Sequence, residues 1–204
     1  MTDSETIEPL LSIRFHSALS LASELHAHQP RKGGSIPYVS HLLSVCSIIL
    51  RAGGNEDQAI TGLLHDALED QGKKISRVDI ADRFGEKISQ MVLDCTDETE
   101  EDRSKTPWKE RKIKYLNHLS KISDDTRLVI IADKLDNIRD MKREYKVLGD
   151  RLWEKFTGKK EGVAWFHGEM TRTLVRWKEN FRDRNCESVV TLIDEFEEIC
   201  SELH

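Results

Sequence analysis

The chain has 204 residues, 38% of them hydrophobic, which is enough apolar material for one buried core and reads as a single domain over 1–204. A formal net charge of −6 without a long basic face argues against a protein that wraps nucleic acid. The longest apolar run, Leu42 to Leu50, is interrupted by Ser44 and Ser47 and falls well short of the roughly 20 residues of a membrane span, so no membrane partner is expected.

No charged start, apolar stretch and small-residue cleavage site open the sequence, and Cys46, Cys95, Cys186 and Cys200 lack a CxxC spacing. Buried reduced thiols in a cytoplasmic protein are therefore expected. Four prolines, eleven glycines and Leu, Ile, Glu, Lys and Arg in helical spacing predict an all-α fold with short connections.

The first helix is expected from Thr6 to about His28, with Leu10, Ile13, Leu21 and Leu25 among its apolar positions, ending in a loop over Gln29-Pro30-Arg31-Lys32-Gly33-Gly34. A second helix is expected from about Tyr38 to Ala52 and a third from Asn55 to Glu69, with Gly53-Gly54 and Gly72 as stops. Ser76 with Asp79 forms a capping pair for a short helix closing near Phe84-Gly85, and another helix runs from Glu86 to Cys95. The acidic run from Thr96 to Asp102 reads as a solvated loop before a helix that begins at Trp108. Asp124 or Asp125 is the expected cap of the helix carrying Asp133, whose last assigned residues are Arg139-Asp140. The charged and aromatic stretch from Lys142 to Gly162 carries no clear periodicity, and two closing helices are expected at about 161–180 and 187–202. There is no internal repeat.

The chemistry concentrates where an apolar helical stretch suddenly carries four ionisable groups: Leu63-Leu64-His65-Asp66-Ala67-Leu68-Glu69-Asp70. Taken singly, His41 on an apolar helix face describes a hydrogen-bonded core residue, and Asp133 a salt-bridging one. Together with His65-Asp66 they form a mixed nitrogen and oxygen set suited to a divalent transition ion such as Mn, Fe or Zn and poorly suited to calcium. On a helix, His65 and Asp66 diverge by about 100°, so an ion must lie between their directions, with His41 and Asp133 brought in from flanking helices. Glu69 follows His65, and Asp70 follows Asp66, by the four-residue spacing that stacks side chains, which suits a carboxylate pair to deprotonating a water next to the ion. Asn137, one turn beyond Asp133, offers a donor and an acceptor, and Arg31-Lys32 could add positive charge for an anionic substrate.

At these residues the sequence resembles the HD-domain metal-dependent phosphohydrolases, and within them the hydrolase domain of the RelA/SpoT homologues. His26-Ala27-His28-Gln29-Pro30-Arg31-Lys32 matches that family's H-x-x-Q-x-R-K opening, Pro37-Tyr38-Val39-Ser40-His41 its P-Y-x-x-H, and the segment around His65 its L-L-H-D-x-x-E-D. Phe84-Gly85, Cys95-Thr96-Asp97 and Ala132 to Arg139 follow in the expected order, so the resemblance covers about His26 to Asp140.

The resemblance implies an HD-domain helical bundle with a single metal site and a manganese-dependent hydrolase removing the 3′-diphosphate of ppGpp and pppGpp. It implies His41, His65, Asp66 and Asp133 as metal ligands, and Glu69 and Asp70 as the pair acting on the attacking water. It further implies Arg31 against the guanine face, Lys32 toward phosphate and Asn137 on the nucleoside. Since the residues after Asp140 read as helices, a stand-alone alarmone hydrolase without a synthetase domain is expected, and a homo-oligomer stays open. Gln71 and Asp140 depart from the common pattern, which has Thr after the Glu-Asp pair and often Thr at the second position, and the region from Trp153 to Trp165 diverges more. Trp165-Phe166 most simply reads as core, though it falls where single-domain relatives carry an aromatic pair. Two other readings keep part of the pattern: a phosphatase on NADPH or another phosphorylated nucleotide, and a helical sensing or interaction module without catalysis.

Overall fold

In a computed structural model that describes residues 9–97 and 105–204, these residues form helices joined by short turns. The sole extended pairing among the described residues is an isolated antiparallel bridge between Pro30 and Pro37, which pinches the Arg31-Lys32 loop at its base.

Helix α1 (Ile13–Leu25) opens on Ser12, whose side chain accepts from the Arg14 amide. The predicted start was too early: Leu10 is fully exposed and Ile13 74% exposed, whereas Leu21 and Leu25 face the core, so the apolar stripe begins a turn later; Thr6 to Glu8 lie outside the described residues. Helix α2 (Val39–Arg51) and helix α3 (Glu56–Leu64) follow, the latter opened by a reciprocal Asn55–Gln58 capping box. The two helices cross tightly at Gly62, where a Cβ would come within 2.6 Å of Ile49 Cδ1 and 3.5 Å of the Cys46 backbone. That close approach brings the His41 and His65 segments together.

The third predicted helix does not run unbroken to Glu69. It ends at Leu64, His65 caps it, Asp66 sits at φ −94°, ψ 0°, and helix α4 (Ala67–Gln71) begins after it. The Asp66 carbonyl still accepts from the Asp70 amide, so the four-residue relation between these two survives the break. Helix α5 (Arg77–Phe84) carries the Ser76–Asp79 capping box as predicted, and helix α6 (Glu86–Cys95) follows Gly85.

Helix α7 (Trp108–His118) leads to the long helix α8 (Asp124–Leu148). Its cap is Ser123, which accepts from the Thr126 amide; Asp124 and Asp125 lie in the first turn, where their charge meets the positive end of the helix dipole. The helix outruns its predicted end at Asp140, and a 3-10 turn (Gly149–Lys155) orders the stretch the sequence left unassigned. Helices α9 (Lys159–Asp183) and α10 (Glu187–Leu203) close the chain slightly longer than predicted.

The apolar interior falls into two clusters. One, built from α1 to α6, includes Leu25, Leu42, Ile60, Leu63 and Ile80; the other centres on α8, α9 and α10 with Ile131, Leu135, Leu174, Trp177 and Phe196. Helices α2 and α6 contribute to both: Leu42 and Cys46 face one cluster and Val45 and Ile49 the other, as do Val92 and Met91 on α6. Cys46, Cys95 and Cys200 are buried free thiols, as expected, and Cys186 is half-buried. Among the described residues no helix is long and apolar enough to cross a membrane.

Candidate active site

The break after Leu64, the start of α2 and the middle of α8 converge on one buried polar cluster. His41, His65 and Asp133 place ligand atoms within 4.8 Å of one another, a geometry that could hold a metal ion. His41 Nε2 lies 3.2 Å and His65 Nε2 3.6 Å from Asp133 Oδ1. Asp66 joins through Oδ2, 3.1 Å from His65 Nε2 and 3.7 Å from His41 Nε2.

The far side of each imidazole is already engaged. His41 Nδ1 donates to Asp136 Oδ2 at 2.6 Å, and Asp136 in turn accepts from the Ser44 hydroxyl; His65 Nδ1 donates to the Gly62 carbonyl at 2.9 Å. Those bonds leave Nε2 of each ring as the lone-pair nitrogen, turned toward the two carboxylates, buried and without a hydrogen-bond partner among the described residues. An ion would satisfy both nitrogens at once, so the donor set fits a divalent metal.

The surrounding charge draws a cation to those nitrogens, so that a proton competes with an ion for them. Burial works against a charged His65, but Asp66 and Asp133 outweigh it and hold its pKa well above the ordinary histidine value; His41 is raised in the same way, chiefly by Asp133 and Asp136. Burial alone would lift Asp66 and Asp133, yet the neighbouring histidines, and for Asp133 foremost Lys134, bring both below the usual carboxylate range. The pocket is thus built to receive positive charge. Lys134 Nζ bonds Asp133 Oδ2 at 2.7 Å, leaving Oδ1 toward the histidines.

Tyr38, Asn137 and Arg31 form the rim. The Tyr38 hydroxyl donates to Asp66 Oδ2 at 2.5 Å. Asn137 Nδ2 donates to Asp133 Oδ1 at 2.5 Å while its Oδ1 accepts from Arg31 Nη2 at 2.9 Å, so Asn137 and Arg31 are brought together as one bridge. Asp140 completes it, accepting from Arg31 at 2.8 Å, and the guanidinium lies 5.6 Å from the Tyr38 ring centre. Lys32 reaches instead over Phe156, 5.1 Å from its ring centre.

Glu69 and Asp70 stand on α4 with different partners: Glu69 Oε2 accepts from the Asp97 amide at 3.0 Å, and Asp70 Oδ2 accepts from Gln29 Nε2 at 2.8 Å. Asp97 itself corrects part of the solvated-loop expectation, being buried against Lys112 at 2.6 Å and Arg111 at 3.6 Å; residues 98–102 of that run lie outside the described residues. Trp165 and Phe166 are half-buried rather than core, set edge-on to Trp108 at 6.2 and 6.5 Å.

Sequence reasoning missed Asp136, Ser44, Tyr38, Lys134 and Asp140. Asp136 had a signal, one turn after Asp133 on the same helix, and Tyr38 lay inside the quoted P-Y-x-x-H; nothing local marked Ser44.

Residues 18–164 match the model of the HD domain, and the chain belongs to the HD-domain family. Among its relatives, the chain is 35% identical over 129 residues to the guanosine-3′,5′-bis(diphosphate) 3′-pyrophosphohydrolase MESH1 of Xenopus tropicalis, covering 62% of this chain and 68% of that one. The human protein of the same name is 31% identical over 129 residues, covering 62% and 68%. Among solved structures, one described as a metazoan ortholog of SpoT that hydrolyzes ppGpp and plays a role in starvation responses superposes with a TM-score of 0.67 at 26% identity, over 89% of this chain and 99% of that chain. Lmo0812 from Listeria monocytogenes EGD-e gives a TM-score of 0.66 at 26% identity, over 82% and 97%.

Proposed function

We propose that the chain hydrolyses guanosine 3′,5′-bis(diphosphate), removing the 3′-diphosphate of ppGpp and pppGpp to give GDP or GTP and pyrophosphate. The observation that carries this reading is the buried pair of uncovered imidazole nitrogens facing two carboxylates, with a second carboxylate pair one turn away, in a chain whose relatives share that named activity. We read residues 1–204 as one hydrolase domain, supported by the two helices that serve both apolar clusters.

In this reading His41, His65, Asp66 and Asp133 hold one divalent ion; the mixed nitrogen and oxygen donors suit Mn2+, Fe or Zn, and the family resemblance favours Mn2+. Such an ion would supply Lewis-acid polarisation and a more acidic water. Asp136 fixes the His41 ring so that Nε2 remains available, and Gly62 does the same for His65. Glu69 and Asp70 take the proton of the attacking water; the new P–O bond forms as the bond to the ribose 3′-oxygen breaks, and that oxygen leaves with a proton as the 3′-hydroxyl. Arg31, braced by Asn137 and Asp140, offers a fixed planar cation suited to a purine face, and Lys32 a compact ammonium suited to phosphate. Asn137, fixed between Asp133 and Arg31, is placed to contact the nucleoside.

The test is product analysis on ppGpp, pppGpp and NADPH with Mn2+ and a chelated control. GDP and pyrophosphate from ppGpp support the reading; intact ppGpp beside phosphate released from NADPH would replace it with the phosphatase reading.

A further inference from the structure

The proposed site does not account for His26 and Gln29, the first two residues of the motif that leads to Arg31-Lys32. His26 is 2% exposed, and its Nε2 is buried with no hydrogen-bond partner among the described residues. Its other nitrogen, Nδ1, lies 2.8 Å from Gln29 Oε1. The Gln29 amide is held on three sides: by His26, by Gln71 Nε2 at 2.6 Å from the same Oε1, and by Asp70 Oδ2 at 2.8 Å from Nε2.

Hydrogen-bond polarity makes this arrangement directional. An ionised carboxylate only accepts, so Asp70 must face the Gln29 NH2 group. The Gln29 carbonyl oxygen then faces His26 and can only accept there, which places the His26 proton on Nδ1 and leaves Nε2 bare. The Gln71 amide donates to the same oxygen, reinforcing this orientation. The Tyr38 ring stacks on His26 at 5.1 Å and 15° and holds the imidazole plane in register with Gln29. Burial, the leading influence on His26, keeps the ring neutral by lowering its pKa despite the nearby Asp66 and Asp70.

We propose that His26 and Gln29 are positioning residues that orient the Asp70 carboxylate for proton transfer, with His26 acting as a neutral Nδ1–H donor to Gln29 and Gln29 as the donor to Asp70. This rests on the hydrolase reading given above for what Asp70 does, but the proton arrangement itself does not.

Two side-chain mimics separate this from a role for the bare nitrogen. The amide of asparagine can place an N–H where Nδ1 stands, whereas glutamine reaches the place of Nε2. With Mn2+ enzyme and ppGpp, His26→Ala and Gln29→Leu are expected to lower kcat by about 10–100-fold with KM and bound metal unchanged. His26→Asn should recover most of kcat and His26→Gln should not. Recovery by glutamine and not asparagine would overturn the proposal in favour of direct action by Nε2, and unchanged kcat in Gln29→Leu would overturn it outright. Thermal melts screen the variants for folding.

Imidazole 15N NMR of the wild-type protein needs no substrate and therefore separates the two claims. A neutral His26 protonated at Nδ1 upholds the arrangement even if ppGpp is not turned over, a result that would instead refute the hydrolase reading. A His26 protonated at Nε2, or charged at neutral pH, overturns the positioning proposal whatever the activity.

Discussion

Two regions that meet at helix α8 use burial in opposite ways. At the site, Asp133 and Asp136 in the middle of the helix are buried at 7% and 4% exposure among histidines, a lysine and a serine; in the apolar cluster that the helix shares with the 3-10 turn, α9 and α10, the buried groups are Ile131, Leu135, Trp153, Leu174, Trp177 and Phe196. Apolar burial stabilises wherever it occurs, but buried charge is tolerated only where opposite charge compensates it. The polar region therefore looks costly as architecture and sensible as a receptor for a cation, whereas the apolar region does the holding. Function and stability should separate between the two.

The largest effect expected is from Asp133→Asn, which removes a charge from the ion pocket: bound metal and pyrophosphate release should both drop to the level of chelated protein while the circular dichroism spectrum stays helical. A variant that keeps its metal would break the distinction. In the apolar region, Phe196→Ala should cost about 3–5 kcal/mol in urea unfolding, yet leave metal content unchanged. One step out from the ion, Asp136→Ala removes the partner of His41 Nδ1 and is expected to weaken metal affinity or turnover by about 10–100-fold.

The apolar region also buries an imidazole, His167 on α9, whose Nδ1 lies 2.9 Å from His204 Nε2. Burial first, then His204 and Lys134, push its pKa down to about 3. In the unfolded chain an imidazole binds a proton near pH 6.5, so the stability due to a neutral His167 is complete above that pH. It is lost as pH falls from about 6.5 toward 3, by about 1.4 kcal/mol per unit. The stability difference between wild type and His167→Gln should therefore shrink between pH 7.5 and 5, as read by urea unfolding at each pH. The smallest effect belongs to the surface: Arg139 and Glu195, paired at 2.6 Å with about a third of each side chain exposed, should show a coupling of at most about 1 kcal/mol in a double-mutant cycle.

The same division accounts for what the sequence disclosed. His41, His65, Asp66 and Asp133 were legible because ionisable groups inside apolar helical sequence are costly to bury unless they bind something, and three of these four fall in one possible metal cluster. The carboxylate spacing in the 65–70 segment was legible too, but the helix break between Leu64 and Ala67 was not, since neither His65 nor Asp66 is a helix breaker. Groups that act through partners far along the chain, such as Ser44 on Asp136 or Asp140 on Arg31, carry no local signature. The two closing helices were legible from their periodicity, but the stretch from Lys142 to Gly162 was not, because its order comes from tertiary contacts. Trp108, for example, packs so closely on Gly158 that a Cβ there would lie 2.8 Å from the indole, and no periodic pattern within 142–162 reports that contact.

Whether one ion in the His41, His65, Asp66 and Asp133 pocket drives ppGpp hydrolysis is tested most directly by metal reconstitution. The protein is stripped with chelator, Mn2+ is titrated back, and bound metal and pyrophosphate release are followed together, with His65→Ala alongside. Activity that rises in step with a single bound equivalent and is absent in the variant is the predicted result. Full activity in the stripped protein, or in His65→Ala without bound metal, would contradict it.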